Sequence, residues 1–496
     1  MKRSGKRGRY DVIVVGGGPA GAVVGWRLAS TGAKVLVLER TRYPREKVCG
    51  DYVEPRGLRV LEAMGCLTSL EADSPLPITH SSTYVEFRRV YSGPIPFYGR
   101  RVDLPAHGYI VPRERLDHEM IQAAERAGVI VREQTLVNNV LATDAGVEVR
   151  AQHDGREIVE RAHLVVGADG VNSVVARSAG LLVTDPRHTA VSQRAYAAGI
   201  DGDVGEAAFF FEQRLFPGYG WMFPMRGQVV NIGVGILSET RNRRDVSVPH
   251  LFDAFFEDVK RRLPRCGELR LCAAPIGGIV KTYGAAGRNH FDGGLLVGDA
   301  GSFVDPMTGE GITPAIESAL LAADVVTQAL NAGRFDAAFL SRYERRFREY
   351  FDPSMIFVDL CAAYMRNRHL ARPWLKLLAR GCEVAQRDEA FGRVGGTYFG
   401  GLETNPYGIL STIWLKMARE LMALAPRSLS AIVQGDKPPL PAAVLDMGEW
   451  QMSWWRSFLQ EPAWSAAWLL DLQRKWLQTI EVLMAKASDP RSAGLL

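Results

Sequence analysis

The sequence predicts an α/β protein in which one parallel-sheet domain is revisited at least three times by the chain, with a β-rich insertion between visits and a helical C-terminal region. Three observations carry this. The first forty residues read as strand, helix, strand. Two later hydrophobic strands, at His163–Gly167 and Gly294–Gly298, also end in glycine turns. From Phe335 onward the pattern is mostly helical. With 496 residues, the chain exceeds the ~150 residues of one ordinary domain, so several lobes are expected.

The elements follow in order. YDVIVV at 10–15 is short, β-branched and bounded by glycines, as a buried parallel strand is. Pro19 to Thr31 carries small and apolar side chains without breakers, suited to a helix packed tightly on a sheet. KVLVLE at 34–39 is a second buried strand, and Gly128–Val131 and Val147–Ala151 read as further strands. Gly199 to Leu237 is sheet-like, with aromatic runs and Gly/Pro punctuation, and Ile312–Leu330 is a long helix. Pro353, Pro373, Pro406 and a Pro-rich linker at Pro438–Pro441 are expected to interrupt the helical region. The expected divisions are a basic tail at 1–9, the α/β domain at 10–185 and 285–335, the β-rich substrate domain at 80–112 and 186–284, and the helical region at 336–496.

Composition excludes several classes. Hydrophobic residues make up 47% and charged residues 23%, which argues against a disordered or low-complexity chain. Five bases (Lys2, Arg3, Lys6, Arg7, Arg9) stand in the first ten residues; removing them from 60 leaves 55 bases against 55 acids, so no nucleic-acid partner is expected. Cys49, Cys66, Cys266, Cys272, Cys361 and Cys382 neither form a disulfide framework nor show a zinc-knuckle spacing, and no metal is expected. No apolar run reaches the ~18–20 residues of a membrane span. The basic start lacks the apolar core of a signal peptide, so a cytoplasmic location is the default expectation.

Gly16, Gly18 and Gly21 form G-x-G-x-x-G directly after a strand and at a helix start. The first allows the tight turn, the second lets a pyrophosphate approach the backbone, and the third lets helix and strand pack closely. The helix N-terminus favours phosphate charge. Glu39 closes the second strand, where a carboxylate accepts both ribose hydroxyls. The pattern defines a Rossmann-like site for an adenine dinucleotide, NAD or FAD.

Two later motifs narrow this. VVGADG at 165–170, followed by Ser173 and Arg177, runs a strand into a turn; LLVGDA at 295–300 ends another strand and is followed by Asp305-Pro306 and Gly309-Glu310-Gly311-Ile312. In this order after the glycine loop, and together with PREKVCGD at 44–51 and PGYGWMFP at 217–224, the sequence resembles the FAD-dependent oxidoreductases of the para-hydroxybenzoate hydroxylase type, and within them the geranylgeranyl reductase family. The resemblance runs from about Tyr10 to Leu330, more loosely beyond.

It implies an FAD-binding domain with an inserted antiparallel β-sheet substrate domain, and it implies roles. Asp169 belongs to the cofactor set through its turn. Asp299 should bond the ribityl chain or reach the pyrophosphate, and Gly309, Gly311 and Ile312 should offer backbone to the isoalloxazine edge. Arg113 should contact the phosphate or ribityl region, with Arg115 a surface ion-pair former, and Val137 should give adenine a backbone contact. Cys49 and Gly50 should reach the flavin face, Cys49 touching the ring or the substrate double bond; a thiol shielded by apolar surroundings has a raised pKa and can donate a proton.

Tyr219, Trp221 and Phe223 alternate on one strand, so they share one face: either core packing or the wall of a cavity for an extended apolar substrate. Cys49, Tyr219 and Trp221 are the catalytic candidates. Since no second glycine fingerprint follows Gly21, reductant should come from a transient NADPH or NADH or from a separate electron carrier. The expected activity is reduction of carbon–carbon double bonds in a long apolar isoprenoid or related lipid. The alternative is a monooxygenase of an aromatic or polyene product. Halogenation is disfavoured, because the strand lacks the first Trp of Trp-x-Trp-x-Ile-Pro and arginines stand in Gly50–Arg59 where a lysine is expected. One departure from the family stands out: Asp51-Tyr52 replaces the second small residue after Cys-Gly, changing bulk and charge near the flavin.

At the C-terminus Trp450, Trp454 and Phe458, then Trp464, Trp468, Leu472 and Trp476, recur at helical spacing. Such stripes bury against the protein body, or lie at a membrane interface with Arg456, Arg474 and Lys475 as basic partners; a lipid-dissolved substrate gives the second arrangement a purpose.

Overall fold

The computed structural model describes residues 9–95, 104–388, 392 and 442–487. Most of the basic tail, Pro406 and the Pro438–Pro441 linker lie outside these residues.

The first sheet is built on the strand Tyr10–Val15, which pairs in parallel with Val35–Leu38 on one side and with the end of Arg156–Gly167 on the other. Ile130–Arg132 extends one flank and Gly294–Leu296 the other, also in parallel. The chain therefore winds outward in both directions from the first strand, and the crevice beyond the ends of Tyr10–Val15 and Arg156–Gly167 is the topological switch point where such sheets bind ligands. Alternation along the first strand sorts the core. Val12 and Val14 face the helices Pro19–Ala29, Arg113–Arg126 and Ile312–Ala332, while Ile13 and Val15 face the antiparallel pair Thr135–Thr143 and Gly146–His153.

The second sheet runs Arg270–Leu271, Thr189–Ala198, Val229–Leu237, Tyr219–Met225, Glu206–Phe211, His80–Val85 and Arg88–Pro94, with Ile276–Lys281 also on Thr189–Ala198. It is antiparallel apart from the pair Glu206–Phe211 and His80–Val85. Its outer face is covered by the helix Val248–Arg262, whose Phe252, Phe255 and Phe256 meet Phe210, Met222, Ile232 and Val234. The opposite face turns toward the first domain.

Two helical expectations change. Pro353 sits inside one continuous helix, Ala337–Met365, because Tyr343, Phe347 and Phe351 anchor it in the main core on the turns leading to the proline. Pro373 lies in the first turn of the helix Ala371–Arg387, where its missing N–H costs little. The predicted strand at 294–298 is shorter, Gly294–Leu296, because Gly298 takes a positive φ of 56° and starts a tight turn.

The last two helices, Ala442–Gln460 and Pro462–Ala487, pack on the body through Trp468 and Leu472, with Trp450, Trp454 and Trp464 partly buried beside them. Lys475 is buried in an ion pair with Asp359, and Arg474 bonds Asp471. Neither is a free interfacial base.

Candidate active site

The glycine loop is a steric necessity. Gly16 has a φ of +95°, and a Cβ there would lie 2.4 Å from the Ala168 carbonyl oxygen; a Cβ on Gly21 would lie 1.9 Å from the Gly16 carbonyl. Gly18 is different. A Cβ there would meet only the guanidinium nitrogens of Arg45 and Arg113, at 3.5 and 3.9 Å. Gly18 is the N-cap of Pro19–Ala29 and provides no side-chain cap, so the open N-terminus and two guanidinium groups converge on one spot. Arg113 is held by Asp117 through bonds of 2.8 and 2.9 Å, and Arg45 pairs with Asp117 at 3.1 Å. This is a cradle for a diphosphate.

Glu39 stands at the strand end as predicted. Its carboxylate accepts from the Gly17 N–H at 2.9 Å and from the Thr41 N–H and hydroxyl at 3.0 and 2.8 Å, so it braces the loop. Val137 is buried under the antiparallel pair Thr135–Thr143 and Gly146–His153, which extends the first sheet from Arg156–Gly167. Asp169 turns its carboxylate onto Ser173 and the Val174 N–H, capping the short helix Val174–Ser178; its neighbours Ala168 and Gly170 line the cavity instead.

One cavity connects this cradle to the second sheet. Its wall includes Gly18, Arg113, Cys49, Gly50, Asp299, Gly309, Gly311 and Ile312, together with Tyr219, Trp221 and Phe223. Stretches separated by nearly the whole domain therefore meet in one space. Asp299, in the turn Gly298–Gly301, lies 3.6 Å from the Lys47 ammonium. Gly309 has a φ of +68° and a Cβ there would touch nothing, so bare backbone borders the cavity before the helix Ile312–Ala332. Arg115 forms ion pairs with the exposed Asp73 and the buried Glu119.

The aromatic strand behaves as its period predicts. Gly220 and Met222 face the covering helix, a Cβ on Gly220 coming within 2.6 Å of Phe255, while Tyr219, Trp221 and Phe223 face the cavity. Trp221 lies over Gly233, where a Cβ would be 2.3 Å from the ring, and its Nε1–H donates to Asn231 Oδ1 at 2.9 Å. The Tyr219 hydroxyl donates to the Thr308 carbonyl, tying the wall to the glycine-rich turn. The Cys49-Gly50 loop abuts this wall: a Cβ on Gly50 would be 3.1 Å from Phe223.

Several groups at the cavity escape sequence reasoning. Asn231 donates to the Cys49 carbonyl at 2.9 Å and to Asp51 at 2.8 Å; its only signal was one polar residue in an apolar strand. Tyr196 donates to Asp51 from a neighbouring strand. Glu54 and Glu310 both line the cavity, and burial together with their neighbouring carboxylates raises both, Glu54 to about 7. Burial likewise raises the Cys49 thiol, so it is protonated at neutral pH, as expected for a shielded thiol. Among the described residues no cluster of His, Cys, Asp and Glu is arranged to hold a metal ion.

The residues fit a flavin dinucleotide: an uncapped helix N-terminus with two arginines for the diphosphate, a braced glycine turn at the switch point, and bare backbone bordering the far end of the cavity. The fold and site define an FAD-binding oxidoreductase. The FAD binding domain family matches residues 9–351. Over 348 residues, 69% of this chain and 84% of the relative, the sequence is 34% identical to digeranylgeranylglycerophospholipid reductase 2 of Methanothermobacter thermautotrophicus. It is 32% identical over 333 residues to menaquinone reductase of Mycolicibacterium smegmatis, covering 64% of this chain and 76% of that one. A geranylgeranyl bacteriochlorophyll reductase-like structure from Thermoplasma acidophilum shares the fold, with a TM-score of 0.67 at 23% identity over 77% of this chain and 92% of that one. The chain belongs to the FAD-dependent geranylgeranyl reductase family.

No helix among the described residues is long and apolar enough to cross a membrane.

Proposed function

We propose that this enzyme reduces carbon–carbon double bonds of a long apolar isoprenoid or related lipid. The observation that carries the reading is the wall of Tyr219, Trp221 and Phe223 standing directly against the Cys49-Gly50 loop at the end of the dinucleotide cavity. Apolar aromatic surface there suits a prenyl chain and offers few polar groups to an aromatic alcohol. The names of the curated relatives support the same chemistry.

When bound, the reduced flavin supplies a hydride. The chain does the rest. Gly18, Arg45 and Arg113 would hold the diphosphate, Asp299 would accept from ribityl hydroxyls, and Gly309, Gly311 and Ile312 would offer backbone to the ring. Trp221, fixed by Asn231, and Tyr219, fixed by Thr308, orient the alkene and exclude water, and Cys49 presents a protonated thiol. The reductant is a transient NADPH or NADH or a separate carrier.

The substrate resides in lipid, and the last helices support docking at its surface. Besides Trp468 and Leu472, which pack on the body, they leave Trp455, Leu459 and Leu470 64%, 81% and 68% exposed, an apolar surface open to an interface. Flotation with anionic phospholipid vesicles, lost on replacing Trp455 and Leu459 by serine, tests this.

The test of the activity is anaerobic: reduce the flavin, add a geranylgeranyl glycerophospholipid, and weigh the product. Gain of hydrogens without oxygen supports the reading; turnover only with oxygen, and a product heavier by one oxygen atom, overturns it.

A further inference from the structure

The structure gives Asp51 an unusual setting. It adopts a left-handed φ of 62°, and its carboxyl is 0% exposed. It lines the dinucleotide cavity. The Tyr196 hydroxyl and the Asn231 amide both donate to Oδ2, while Oδ1 has no partner.

The charged groups facing it are committed elsewhere. Arg194, on the strand of Tyr196, pairs with Glu46 at 2.9 Å and stacks on the Tyr196 ring. Arg113, on its own helix, is bidentate to Asp117. On the loop of Asp51 itself, Lys47 leans toward Asp299 and Cys49 is a protonated thiol. A buried carboxylate with two neutral donors on one oxygen and nothing on the other is poorly solvated; protonation of the empty oxygen relieves this. Burial accordingly raises Asp51 to about 6, against the lowering by Tyr196 and Arg194.

We infer that Asp51 delivers the proton that accompanies hydride transfer to the substrate alkene, with Tyr196 replenishing it from the solvent side. This rests on the reductase reading above. The step balances. With a hydride (two electrons and one hydrogen) that the reduced cofactor would supply to one alkene carbon, the Asp51 Oδ1–H bond breaks as a C–H bond forms at the other carbon, and a carboxylate remains. Tyr196, half-buried, passes a proton to Oδ2 and takes one from water. The proton enters on one oxygen and leaves from the other, so the carboxyl itself is the relay. Asn231 joins this relay to the wall, since the same side chain accepts from Trp221.

The experiment uses the FAD-loaded full chain, wild type and the variants Asp51→Asn and Tyr196→Phe, with flavin absorbance and melting curves confirming that each is folded. In infrared titration the wild type should show a carboxylic-acid band that disappears as pH rises through about 6, absent in Asp51→Asn. After anaerobic photoreduction, reoxidation by a geranylgeranyl glycerophospholipid should slow roughly 100-fold in Asp51→Asn. Tyr196→Phe should slow less and show a larger solvent deuterium effect than wild type. A band that is unchanged in Asp51→Asn, or reoxidation of Asp51→Asn at the wild-type rate, overturns the proton role while leaving the reductase reading intact. A wild type that no prenyl lipid reoxidises overturns the reductase reading, and the proton role falls with it.

Discussion

The two ends of the cavity are built from different materials. The dinucleotide end is made of backbone: Gly16 and Gly21, which tolerate no Cβ, a helix N-terminus without a side-chain cap, and charges that brace them. The opposite end is made of side chains from separate strands, Trp221 on Asn231, Asn231 on Asp51, Asp51 on Tyr196. A backbone site is all-or-none, since one added carbon fills it. A side-chain site is graded, because each member can be removed singly.

Substitutions that separate the two ends test this contrast. The largest effect is expected from Gly21→Val at the backbone end. The Cβ would lie 1.9 Å from the Gly16 carbonyl, so the protein should lose at least about 4 kcal/mol and retain no FAD, read from its visible spectrum. Trp221→Ala at the other end should cost about 3 kcal/mol, by analogy with truncation of buried aromatics, yet leave a yellow protein that no longer turns over lipid. Loss of FAD in Trp221→Ala would break the comparison.

A pH effect should be smaller. Asp51 is raised in the folded state from 3.8 to about 6, so the native protein binds its proton more tightly than the unfolded chain. Its contribution is then fully present below ~4 and is lost as pH rises through about 6; wild type should lose about 2–3 kcal/mol across this window relative to Asp51→Asn, measured by denaturant unfolding. Tyr219→Phe removes one hydrogen bond to Thr308 and should cost about 1 kcal/mol, with substrate KM affected before FAD retention. Arg115→Ala should cost about 1 kcal/mol: its pair with the exposed Asp73 is worth little, whereas Glu119 is buried and loses the guanidinium that bonds it.

Much of the fold was legible in the sequence because its signals are local. The βαβ start, the glycine loop, the strand before Gly167 and the helix Ile312–Ala332 each announce themselves within about ten residues. Pro353 misled for a related reason: the penalty for a helical proline is local, whereas the aromatic anchors that outweigh it lie in the distant core. Asp169 shows the same limit. Its turn borders the cavity as the motif implies, yet its carboxylate is spent on the helix that follows.

Backbone geometry leaves a mark on composition at each position, so the glycines, the strand-end acid and the alternating aromatics are enough by themselves to mark an α/β flavoprotein of this family. Pairing register leaves no such mark. Asn231 opposite Phe223, Tyr196 opposite Asn231, and the loop bearing Cys49 and Asp51 laid against both follow from the packing of strands far apart in the chain. Whether a polar side chain is solvated, paired or stranded depends on those long-range neighbours, and that is why the buried carboxyl at the cavity wall emerged only from the folded molecule.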